Sequence, residues 1–135
     1  MAHLALVDIV ILLALVEFFV FLFQVGKARE TYKVPAPATS GNEVFERYFR
    51  AQMNTLEQLV IFIPAMLLFA RYVNPLIAAA LGLVFVIGRW IYFAGYVKDA
   101  KKRSTGFMIS FIPNVILVVG ALLGAVRVLV RTGIS

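Results

Sequence analysis

The chain has 135 residues, 62% of them hydrophobic, with a mean hydropathy of +0.94 and a formal net charge of +6. That length expects one unit, residues 1–135, and that hydropathy points to the bilayer rather than to a water-soluble globule. With no cysteine and a single histidine, His3, disulfides, thiolate metal sites and cysteine nucleophiles drop out, and no metal is expected.

Residues 4–23 form an apolar run long enough to span, since a spanning helix needs about 20 residues. No basic segment precedes the run, and it carries Asp8 and Glu17, so it reads as a retained helix over 4–32 rather than a cleaved signal. Glu17 is the lone acid in the apolar part of this helix. It reads first as an ion-pair partner for an arginine, and second as a proton or cation site. Pro35 and Pro37 then forbid helix and mark the segment 34–41 as a loop. Ser40 with Glu43 fits a capping box opening the second helix, 42–72.

That helix begins polar and becomes apolar without a break: Glu46, Arg47, Arg50 and Glu57 precede the apolar stretch 59–70. A charged side chain at mid-membrane costs about 2.5–3.5 kcal/mol even on the lenient insertion scale. These groups therefore sit at the interface, face protein, or bind something. At about 100° per residue, Arg47, Arg50, Asn54 and Glu57 share one stripe, while Gln52 points elsewhere. Two guanidinium groups, an amide and a carboxylate suit a zwitterionic ligand: arginine grips carboxylates bidentately, and glutamate holds an ammonium group. The competing reading is an internal salt-bridge ladder.

Asn74-Pro75 fits an N-cap with proline at the first helical position, opening a third helix over 75–98. Arg89, Tyr92 and Tyr96 share a face of it. Arg89 lies inside the span and needs a partner, Glu57 or Glu17, in a structural role. Tyr96 alone is ordinary interfacial material. The fourth helix, 105–130, is expected to be capped by Ser104 or Thr105, with Arg103 poised to stabilise an anion at the membrane boundary. Pro64 and Pro113 fall inside helices and predict kinks, and Gly120 and Gly124 allow close helix contact. The fold class is thus all-α, a four-helix integral membrane bundle. Lys27, Arg29, Lys33, Lys98, Lys101, Lys102 and Arg103 concentrate charge after the first and third helices, which puts those connections in the cytoplasm. Lipid head groups are the natural partners of Lys27, Lys33, Lys98, Lys101 and Lys102; nucleic acid is not.

Gly41-x-x-x-Phe45-Glu46-Arg47-x-Phe49-x-Ala51-Gln52-x-Asn54 resembles the signature of the MAPEG family, which includes the microsomal glutathione transferases, leukotriene C synthase and prostaglandin E synthase. The likeness continues through Ala28-Arg29, the 35–41 loop, Arg50, Glu57, Arg89-x-x-Tyr92-Phe93-x-Gly95-Tyr96 and Arg103, covering most of 28–106. The resemblance implies a homotrimer of four-helix subunits with glutathione as co-substrate, bound between neighbouring subunits toward the cytoplasm. By matching position, Arg29, Arg50, Gln52, Asn54, Glu57, Tyr92 and Tyr96 would contact glutathione. Arg103, aided by Ser104, would stabilise its thiolate for attack on a lipophilic electrophile or a lipid hydroperoxide. Arg47, Glu46 and Arg89 would support the site.

Some positions depart from the family. Tyr48 and Thr55 replace valine and cysteine of the eukaryotic signature. Glu30 stands where leukotriene C synthase has a second arginine, and Gln58 where it has tyrosine. Gln52-Met53 replaces the histidine–arginine pair of prostaglandin E synthase, so neither specificity follows. The compact chain suggests a bacterial inner-membrane member. Two rival readings stay open: a non-catalytic lipid-binding scaffold of the same family, and a small four-helix multidrug exporter using Glu17.

Overall fold

The computed structural model describes residues 1–134; Ser135, the last residue of the expected unit, lies outside the described residues. Four long helices, α1 (Ala2–Tyr32), α2 (Glu43–Tyr72), α3 (Pro75–Lys98) and α4 (Arg103–Thr132), are each long and apolar enough to cross a membrane. At 1.5 Å per residue, α1 and α2 are each about 45 Å long, more than the hydrocarbon core needs, so part of each reaches the polar boundary.

The connections explain the boundaries. α1 stops because Lys33 turns left-handed at φ 56°, and the N–H of Val34 returns to the Arg29 carbonyl at 3.0 Å, a Schellman-type ending. Val34 then packs under Val25, Ala28 and Phe45. The expected capping box of Ser40 and Glu43 does not form. Gly41 adopts φ 128°, a conformation reserved for glycine, and swings the chain so that Asn42 becomes the cap. The Asn42 side-chain oxygen Oδ1 accepts from the N–H groups of Val44 and Phe45 at 2.9 and 3.0 Å. Glu46 reaches back to the Gly41 N–H at 3.4 Å.

α3 runs over the span expected, with Asn74 accepting from the Ile77 N–H at 3.0 Å and Pro75 at the first helical position. The start of α4 differs from expectation. Neither Ser104 nor Thr105 caps it, because a short 3₁₀ turn, Ala100–Lys102, leads straight into Arg103. Asp99 caps that 3₁₀ turn, its carboxylate accepting from the Lys101 N–H at 3.0 Å, and α4 itself opens at Lys102 with no side-chain cap. Pro64 and Pro113 lie inside α2 and α4, each of which continues past its proline as one helix.

Packing divides the bundle lengthwise. At one end, Val7, Val10, Phe62, Met66, Phe85 and Leu117 form an apolar core, with Phe62 stacked on Phe85 at 4.0 Å. Gly120 and Gly124 let α4 close onto Phe69 and Tyr72. The other end holds Phe21, Ala51, Tyr92, Phe93 and Tyr96, with Phe21 stacked on Phe93 at 4.1 Å. Gly106 there packs flush against the backbone of Tyr92, where a Cβ would overlap main chain. This contact locks the first turns of α4 onto the last turns of α3.

Candidate functional site

The α3–α4 lock sets Arg103 and Ser104 beside Tyr92 and Tyr96, and α2 closes the opposite side. Between them lies a groove of about 740 Å³, within the range that holds small molecules. α2 contributes Arg50, Met53, Asn54 and Glu57; α3 contributes Tyr92 and Tyr96; α4 contributes Arg103, Ser104, Phe107 and Met108. The groove sits at the end of the bundle that carries the 34–41 loop and the 3₁₀ turn.

Its electrostatics are asymmetric. Arg50 and Arg103 supply positive charge, and Glu57 supplies the acid. Arg103 donates to the Ala100 carbonyl at 2.6 Å, and its guanidinium lies 5.5 Å from the Tyr96 ring, so a folded-back side chain holds it at the mouth. Tyr92 and Tyr96 meet edge to face at 5.6 Å and are both buried, which fixes their orientation. Asn54 is oriented from behind: its carbonyl oxygen accepts from Arg89 at 2.8 Å. With that oxygen engaged, the Asn54 amide has its N–H donors left for the groove.

Arg89 makes no hydrogen bond to Glu57, one of its two expected partners. Its hydrogen bonds go to Asn54, to Thr55 at 3.3 Å and to Ser110 at 3.0 Å, all neutral groups. Complete burial explains this, because the surrounding helices offer hydroxyls and an amide at the right depth while Glu57 is turned outward. The helix 2 stripe also splits. Arg50, Asn54 and Glu57 enter the groove, but Arg47 donates to the Val97 carbonyl at 3.2 Å, satisfying the last turn of α3. Glu46 is occupied with the Gly41 N–H, as described.

Two residues implied to touch glutathione lie away from this groove. Arg29 donates to the Val34 and Ala38 carbonyls at 3.2 and 2.7 Å and lies 4.8 Å from the Phe45 ring, so it organises the 34–41 loop. Gln52 is buried within the subunit, off the groove's lining. Conversely, sequence reasoning missed Met53, Phe107 and Met108. Phe107 and Met108 lie one helical turn beyond Arg103 and Ser104, and that i, i+4 spacing is the signal that finds them. They line the groove with apolar surface beside its cationic mouth.

The model of the MAPEG family matches residues 7–123 of the chain. Among its relatives, an uncharacterized protein from Synechocystis is 51% identical over 111 residues, covering 82% of this chain and 81% of that one. Human microsomal glutathione S-transferase 2 is 48% identical over 108 residues, covering 80% of this chain and 71% of the human protein. Rat leukotriene C4 synthase is 37% identical over 99 residues, covering 73% of this chain and 66% of the rat protein. A match spanning all four helices, together with these relatives, shows that the chain belongs to the MAPEG family, as an integral, multi-pass membrane protein.

Proposed function

We propose that the protein is a membrane-bound glutathione transferase that activates the glutathione thiol for attack on lipophilic electrophiles, with reduction of lipid hydroperoxides as a second activity. The observation that carries this reading is the convergence of Arg50, Asn54, Glu57, Tyr92, Tyr96, Arg103 and Ser104 from three helices on one groove. The names of the human and rat relatives support the same chemistry. In this reading the arginines and the Asn54 amide hold the tripeptide's carboxylates, and Glu57 holds its ammonium group.

A free thiol of pKa about 8.5 is only a few per cent thiolate at neutral pH. Lowering that value by two units takes about 2.7 kcal/mol of thiolate stabilisation. The Arg103 guanidinium, aided by the Ser104 hydroxyl, supplies it. The sulfur then bonds to the electrophilic carbon, and the leaving group departs with its electron pair. With a hydroperoxide, sulfur takes the terminal oxygen, the alkoxide leaves and is protonated, and a second glutathione converts the sulfenic acid to disulfide and water. Met53, Phe107 and Met108 form the apolar wall beside the thiol.

The working assembly in this reading is a homotrimer in a bacterial inner membrane, with the groove toward the cytoplasm. Glu57 is exposed on the subunit although it lies midway along a spanning helix, which favours a neighbour covering it over contact with lipid. Arg29 lies off the groove of its own subunit and is only half-buried there, which suits a contribution across such an interface, whereas Gln52 is buried and supports the site from within. Basic residues at the groove end support the orientation, and the Synechocystis relative supports the source. The exporter reading is disfavoured because Glu17 is buried between helices rather than lining a path. Titrating detergent-purified protein with glutathione, while following ultraviolet thiolate absorbance in wild type and Arg103→Ala, tests the proposal. A saturable signal lost in the variant is expected; a wild type that binds no glutathione would leave a lipid-binding scaffold as the better reading.

A further inference from the structure

The seam between α1 and α3 holds two charges that the groove chemistry does not use. Among the described residues, Glu17 (3% exposed) and Arg89 (0% exposed) are the buried charged side chains. Both carboxylate oxygens of Glu17, and Nη2 of Arg89, find no hydrogen-bond partner within the subunit. α1 and α3 run parallel in a fixed register, with Val10 over Gly82 and Phe21 stacked on Phe93. The same sequence offset separates Glu17 from Arg89, so the two face each other at one depth, within coulombic range. An acceptor without a donor stands opposite a donor without an acceptor, so pairing the two would satisfy both.

The other partners of Arg89 are all neutral: Ser110, Thr55 and Asn54 by hydrogen bonds, and the Tyr92 ring at 4.2 Å. Among the described residues Glu17 is therefore the buried acid available to compensate its charge, and removing one member of a buried pair leaves the other uncompensated. Asn54 and Tyr92 are also groove residues. We propose that Glu17 is a positioning residue for the polar ligand: its carboxylate neutralises and anchors Arg89 across the α1–α3 seam, and Arg89 in turn sets the Asn54 amide that faces the groove. Glu17 touches no ligand itself. This inference rests on the glutathione reading of the groove.

The test is a double-mutant cycle on glutathione affinity, measured by equilibrium titration of the detergent-purified protein, using Glu17→Leu, Glu17→Gln, Asn54→Ala and the combined variants. Glu17→Leu is expected to weaken glutathione about 10-fold with Asn54 present, a coupling of the size carried between linked sites. It should add less than about 2-fold once Asn54 is alanine. Glu17→Gln keeps an acceptor toward Arg89, so it should lose only about 3-fold, with turnover at saturating glutathione unchanged. Unaltered affinity in Glu17→Leu overturns the inference, and so does an equal loss in both Asn54 backgrounds, which would mark a general packing effect. Should Glu17→Leu fail to fold, the cycle built on Glu17→Gln decides by the same criterion. Absence of glutathione binding in the wild type is a separate result, which removes the transferase reading itself; wild-type binding with additive losses removes the positioning role alone.

Discussion

At one end of the bundle Val7, Val10, Phe62, Met66, Phe85 and Leu117 pack by shape alone, whereas at the other Arg89, Asn54, Ser110 and Arg47 are tied by directional bonds between helices. In a bilayer, apolar side chains gain little by leaving lipid, so the apolar end depends on close van der Waals fit. The polar end depends on satisfying groups that lipid cannot satisfy. Stability and ligand geometry are thus assigned to different ends, and the two should separate on mutation.

Phe62→Ala should give the largest effect. It removes half of a stacked pair and opens a cavity, costing about 3–5 kcal/mol, with glutathione affinity held within about 2-fold. Denaturant unfolding beside ligand titration measures both, and a matching loss of affinity would break the separation. Arg103→Ala should do the reverse: kcat/KM falls by about 100- to 1,000-fold, as when one anion-stabilising donor is lost, while the unfolding midpoint stays put. Steady-state conjugation kinetics and a thermal melt read this pair. Gly106→Ala sits where the two demands meet. Its Cβ would strike the Tyr92 backbone, so α4 must move, costing about 1–3 kcal/mol and displacing Arg103 from Tyr96. Here turnover and stability should fall together. Asn42→Ala should be smallest, about 1 kcal/mol from a lost cap, with unchanged kcat.

The spans, the Asn74-Pro75 start of α3 and the polar half of α2 are legible in the sequence because each rests on local spacing. The cap of α2 was not, since Gly41's φ of 128°, and not the Ser40–Glu43 spacing, decides where the helix opens. Nor were the partners of Arg89: Asn54 and Ser110 come from other helices, and helical periodicity says which face a residue occupies but not what it meets. Charge counting offered Glu57 or Glu17, yet the hydrogen bonds of Arg89 go to neutral groups. Arg29 shows the same limit, because its partners are loop carbonyls whose positions depend on the turn at Lys33.

The hydrogen bond from Arg89 to Asn54 also bears on how the chain enters its membrane. Helix α2 carries Arg50, Asn54 and Glu57 along one side, so it is a reluctant passenger for the insertion machinery when presented alone. Of these, Asn54 is matched by Arg89 on α3, which is synthesised later. A paired transfer of helices 2 and 3 to lipid would mask Asn54, Thr55 and Arg89 from the hydrocarbon. The bond that sets the ligand groove in the finished protein thus also masks one polar group of α2 from lipid.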